Sequence, residues 1–205
     1  MKSLLPFLFA VGVRSEGEWF CHGINCPEFT NTSTAQGLEV RFYDSALWAS
    51  TNVSSISLQQ AESIGFNRLF DYISGANEAG TAIDMTAPVL TKVIPGAGPN
   101  CNSTFIVSFF TPFLYQTAAG PPAPTNPLVY LNQLEALTVA VSVFGGFQNQ
   151  KLVLAEAAKL EAEVSTDSSV QADSSTYGDS WFVAGYDAPF KLTGRHNEIW
   201  LPVVM

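Results

Sequence analysis

Apolar residues recur along this chain with two different periods, and the change of period marks out its elements. Leu58, Ala61, Gly65, Phe66, Leu69, Phe70 and Ile73 fall three or four apart, the spacing of one helix face. Ser57-Leu58-Gln59-Gln60 supplies a capping-box start, and Gly75 stands where a helix commonly ends. A second helix is predicted over 149–165. Val153, Ala157, Leu160 and Val164 form its stripe, and Lys151, Glu156, Lys159, Glu161 and Glu163 its polar face. Elsewhere alternation with β-branched and aromatic types predicts strands at 38–50, 83–94, 104–111, 128–133, 137–144, 180–187 and 197–203. The Ser/Asp-rich stretch 165–175 reads as loop, and Pro-rich 121–127 as a rigid connection.

The same order of elements occurs twice. In each half a strand leads to a helix, and a later strand carries an Ala-Pro pair, Ala87-Pro88 and then Ala188-Pro189. The pattern predicts one α+β domain with mostly antiparallel strands, two helices and two related halves.

Composition narrows the class. With 47% apolar and 13% charged residues, about half the usual charged share, the chain is no disordered polymer. Its 18 acidic against 9 basic residues, net −9, argue against a nucleic-acid partner. Lys2, an uncharged run from Leu4 to Val13, and small residues before a polar stretch read as a signal peptide over residues 1–15. The run is too short to span a bilayer, and its rival reading is a buried first strand. Residues 16–37 then form a cysteine-bearing arm, and 38–205 the domain. Sequons at Asn31, Asn52 and Asn102 agree with a secreted, extracellular glycoprotein, whose glycan would supply the solubility that charge does not.

Cys21, Cys26 and Cys101 are an odd set, so in a secreted chain one thiol is free or paired with another molecule. Any of the three pairings is open. A metal cluster of Cys21, His22 and Cys26 is the rival, but the spacing matches no standard zinc pattern. Catalytic chemistry is sparse: His22 and His196 are the two histidines, and no nucleophile elbow, zinc-protease motif or phosphate loop occurs. Aromatics are plentiful, with 15 Phe, 6 Tyr and 4 Trp, enough for a large core or an apolar ligand cleft.

Several blocks, taken together and in order, resemble the SOUL, or haem-binding protein, family. They are Val40-Arg41-Phe42-Tyr43 with Trp48, Gly65 to Asn77, Ile83 to Val89, Pro121 to Pro124, Phe144 to Phe147, Ala184 to Lys191, and Arg195 to Trp200. The resemblance implies a distorted antiparallel β-barrel with two long helices, built from two similar halves. It implies binding of haem or related tetrapyrroles and no catalysed reaction. It places the groove between the first helix and the C-terminal strand pair, with Phe66 and Phe70 on the helix side and Tyr186 and Lys191 opposite. Flat apolar contact would suit a porphyrin, and a cation such as Lys191 its propionates.

The chain also departs from the family pattern. A strand position proposed for an axial histidine holds Phe42, and helix positions proposed for propionate-binding cations hold Ser63 and Asp71. Iron ligation would then come from elsewhere, with His196 or Tyr186 as candidates, or be absent. Two other roles suit the same residues: an interaction or defence protein that keeps the fold without haem, and an enzyme or binder acting on another bulky apolar molecule.

Overall fold

A computed structural model of the chain describes residues 17–34, 36–98 and 101–205. The segment read as a signal peptide lies outside them. Nine strands make one curled antiparallel sheet: β1 (Phe29–Ser33), β2 (Glu39–Tyr43), β3 (Ala46–Ser55), β4 (Val89–Ile94), β5 (Ser103–Phe110), β6 (Val129–Leu134), β7 (Leu137–Phe144), β9 (Trp181–Gly185) and β10 (Asn197–Val204). Across the sheet they run β1-β2-β7-β10-β9-β4-β5-β3-β6, and the two-residue β8 (Gln171–Ala172) lies beside β10. With β1 set aside the order is mirrored about the β9–β4 pair: β7 sits between β2 and β10 as β3 sits between β6 and β5. This is the two-halves architecture the pattern predicts.

Helix α1 (Leu58–Ile73) packs on β3 and β5, and α2 (Gln150–Thr166) on β7 and β10, one helix for each half. Both begin at side-chain caps, Ser57 accepting from the Gln60 amide and Asn149 from the Leu152 amide. Gly65 lets α1 approach the sheet closely, since a Cβ there would lie 2.4 Å from Cγ2 of Val107 on β5.

Several boundaries differ from the sequence reading, each for a physical reason. The stretch 38–50 divides at Asp44-Ser45 into β2 and β3, which pair with different halves. In 83–94 the strand begins at Val89, because Pro88, joined to Ala87 by a cis bond, has no N–H for a ladder. The stretch 165–175 holds β8 and the start of the one-turn α3 (Ser174–Tyr177), capped by Asp173. The arm contributes strand β1, paired with β2 from Phe29↔Tyr43 to Ser33↔Glu39.

Alternation sends the side chains of each strand to two layers. On one side Val40, Ala140, Val183, Ile199 and Leu201 pack with Val153, Ala157 and Leu160 of α2. Ala49, Val107 and Phe109 pack with Leu69 and Tyr72 of α1. On the other side Tyr43, Leu137, Val139, Phe182, Ala184 and Trp200 pack with Phe20, Cys21 and Cys26 of the arm. Among the described residues no helix is long and apolar enough to cross a membrane.

Candidate functional site

The start of β4 lies opposite the end of β9, with Val89 paired to Gly185. Past this junction, where the helix layer and the arm layer meet, a cleft of about 840 Å³ opens. Its volume is that of a typical small-molecule site. Phe66 and Phe70, one turn apart on α1, lie 5.7 Å apart with their planes 13° from parallel, and both border it. Phe66 also meets Phe109 edge-on, while Phe70 is 47% exposed. Met85, Val89 and Pro189 extend the apolar wall, and Phe190 stands on its rim, 85% exposed.

All four groove residues nominated by the resemblance, Phe66, Phe70, Tyr186 and Lys191, line this one cleft. Lys191 is no free cation. Its Nζ pairs with Asp187 Oδ1, whose second oxygen accepts the backbone N–H of His196. His22 reaches the same carboxylate from the arm, with Nε2 2.8 Å from Oδ1. Burial alone would raise the Asp187 carboxyl, but the hydrogen bonds from Lys191 and the His196 amide outweigh it and hold the group below the usual carboxylate range.

Tyr186 joins the cleft to a buried polar cluster. Its hydroxyl donates to Glu198 Oε2 at 2.8 Å, and Trp200 Nε1 donates to the same oxygen at 2.7 Å. Arg41 Nη1 lies 2.9 and 3.0 Å from the two Glu198 oxygens, and Arg41 Nε is 2.6 Å from Glu39. Glu198 is fully buried. Desolvation pushes its carboxyl up, yet the His196 hydrogen bond and the Arg41 charge prevail and keep it below its ordinary value. Burial and the neighbouring Glu198 charge push the Tyr186 phenol well up.

His196, named as a candidate iron ligand, belongs to this cluster and does not line the cleft. Its Nε2 sits 2.6 Å from Glu198 Oε1, and its ring stacks on Phe20 at 4.3 Å with planes 1° apart. Ligation by His196 would require moving its buried ring out from beneath Phe20 and into the cleft. Phe20 is held over the cluster by the short loop that the Cys21–Cys26 disulfide closes. That bond removes the thiols from the rival metal reading, and Cys101 is free and exposed. Among the described residues no group of three His, Cys, Asp or Glu side chains could hold a metal ion.

The sequence reading missed Arg41, Asp187 and Glu198 as site residues, and gave His22 no role beyond the rejected metal cluster. A signal for two of them was available, since Arg41 stands between the apolar Val40 and Phe42 and Glu198 is the one charge in β10. The three sequon asparagines, Asn31, Asn52 and Asn102, are all exposed.

The cleft beside α1, the mirrored sheet and the helix pair define a small-molecule-binding domain of the SOUL type. The chain belongs to that family: the model described as "SOUL heme-binding protein" matches residues 24–202. Human "Heme-binding protein 2" is 37% identical over 169 residues, covering 80% of this chain and 76% of its own. "Heme-binding protein 1" of Xenopus laevis is 32% identical over 162 residues, covering 79% and 81%. Among solved structures, the EcmrR C-terminal domain superposes with a TM-score of 0.58 at 11% identity, over 86% of this chain and 98% of that one. At that identity the likeness is one of fold.

Proposed function

We propose that this chain binds haem or a related tetrapyrrole in the cleft beside α1, without catalysing a reaction on it, and serves as an extracellular carrier or scavenger. The observation that carries the reading is the convergence of Phe66, Phe70, Tyr186 and Lys191 on one apolar cleft. A flat macrocycle suits the near-parallel Phe66 and Phe70 rings and the aliphatic wall of Met85 and Val89. Lys191, at the edge with a third of its side chain exposed, is placed to meet a propionate while still shared with Asp187. The relatives named for haem binding support the choice of ligand. The Cys21–Cys26 disulfide and the exposed sequons support the choice of compartment.

Haemin titrated into the purified protein should give a saturable Soret shift at about one equivalent. Phe66→Asp puts a carboxylate against the macrocycle face and should weaken binding at least tenfold. Lys191→Gln removes a partly exposed cation and should cost a few-fold, less at high salt. A flat titration with folded wild-type protein refutes the reading. Glycan-dependent mass on the protein recovered from the medium of secreting cells tests the location.

A further inference from the structure

We infer that His22 is the axial ligand to iron when haem occupies the cleft, with Asp187 as its positioning residue. The inference rests on the tetrapyrrole reading and extends it to a ligand that neither the family resemblance nor the sequence supplied. Haem iron takes a donor such as histidine or methionine from the protein. Among the described residues His22 is the one imidazole in the cleft wall and Met85 the one thioether, while the Tyr186 hydroxyl there is committed to Glu198. The strand position proposed for such a ligand holds Phe42, and His196 is buried beneath Phe20 outside the cleft wall.

His22 stands beside a carboxylate in the cleft wall. Its Nε2 is 2.8 Å from Asp187 Oδ1. The contact brings the Nε2 edge against the carboxylate as an ion-pair approach, which leaves Nδ1 as the nitrogen for a metal and sets a carboxylate behind the imidazole, as carboxylate–histidine sites do. Among the described residues Nδ1 has no hydrogen-bond partner, and 38% of the side chain is exposed. Asp187 is itself fixed, fully buried and hydrogen-bonded by Lys191 and by the His196 amide.

The backbone is held as firmly. His22 adopts a left-handed conformation (φ 54°), followed by Gly23 at φ 75°. The disulfide ties Cys21 to Cys26 around it, and the Asn25 carbonyl and side chain accept from the Ala87 and Phe113 amides. An imidazole on a free arm would lose much entropy on ligation; here most of that ordering is already in place.

The test compares haemin with metal-free protoporphyrin IX, which fills the same cleft but needs no axial donor. His22→Asn is the variant of choice, since asparagine tolerates the left-handed backbone. It should leave protoporphyrin affinity within twofold, which also reports intact folding. It should weaken haemin at least tenfold and abolish the imidazole-ligated optical and EPR signature, and added imidazole should restore that signature. A His22→Asn haemin complex with the wild-type spectrum and affinity overturns the assignment. If wild-type protein binds neither porphyrin, or Phe66→Asp leaves both bound, the cleft reading fails and this one with it.

Discussion

Replacing Arg41 with Met tests the cluster beneath the cleft. The substitution keeps much of the side chain's bulk but removes the guanidinium that reaches both Glu198 oxygens at 2.9 and 3.0 Å. Glu198 is then a fully buried carboxylate without its cation, a change that typically costs about 3 to 5 kcal/mol. For a chain of this size that is a fall on the order of 10 °C in Tm. The pH dependence identifies the cause. In the wild type Glu198 is held below its ordinary value, so its contribution is present above about pH 4.3 and lost as pH falls through the folded value. In Arg41→Met the Glu198 carboxyl loses the charge that helped hold it down while burial still pushes it up, so it keeps a proton that the unfolded chain releases. Stability should therefore fall as pH rises from 5 to 8, by at most about 1.4 kcal/mol per unit. Urea unfolding followed by tryptophan fluorescence at pH 5, 6.5 and 8 measures the gap between the two proteins, which should widen with pH. Adding Glu198→Gln to Arg41→Met should recover about 2 kcal/mol or more. A gap below about 1 kcal/mol, well under the range for a broken buried ion pair, or one that is flat with pH, would refute the reasoning.

Two further outcomes follow from the packing of α1. Gly65→Ala gains about 1 kcal/mol of helix propensity, but its Cβ would stand 2.4 Å from the fully buried Val107, an overpacking worth about 1 to 3 kcal/mol. A net loss of about 1 kcal/mol is expected by chemical denaturation, reversed in part by Val107→Ala; a stabilised single variant would contradict the close approach. Burial pushes the Glu62 carboxyl up to about 7, so stability should decline as pH rises from about 4.5 to 7. Glu62→Gln should gain about 2 kcal/mol at pH 8 and nothing near pH 4.5, after discounting for partial exposure, and equal Tm values at pH 8 would count against it.

Local physics explains what the sequence disclosed. Both helices were legible because spacing, cap and terminating glycine all agreed at α1, and stripe and polar face agreed at α2. Strand β1 was not, because Phe-Thr-Asn-Thr-Ser at a sheet edge pairs through its backbone and needs no apolar alternation. The duplication was read correctly from an unequal sign: Ala87-Pro88 precedes β4, whereas Ala188-Pro189 follows β9. They meet because β4 and β9 are antiparallel, which brings both pairs to the cleft. Composition could nominate aromatics but not choose among them, so Phe66 and Phe70 came from the family resemblance. Asp187 and His22 were hidden because 165 residues separate partners that only the folded chain brings together.

The mirrored strand order has a consequence for stoichiometry. A sheet symmetric about β4–β9 offers two equivalent berths, one beside the end of each helix. The berth beside α1 is walled by Phe66, Phe70, Met85 and Val89. The cleft beside the end of α2 is bordered by Glu161, Asp167 and Asp179 together with Val164, Val170 and Leu201. The two sides have thus diverged into one oily berth and one where carboxylates interrupt the apolar wall, and a flat apolar guest finds one matching berth per chain.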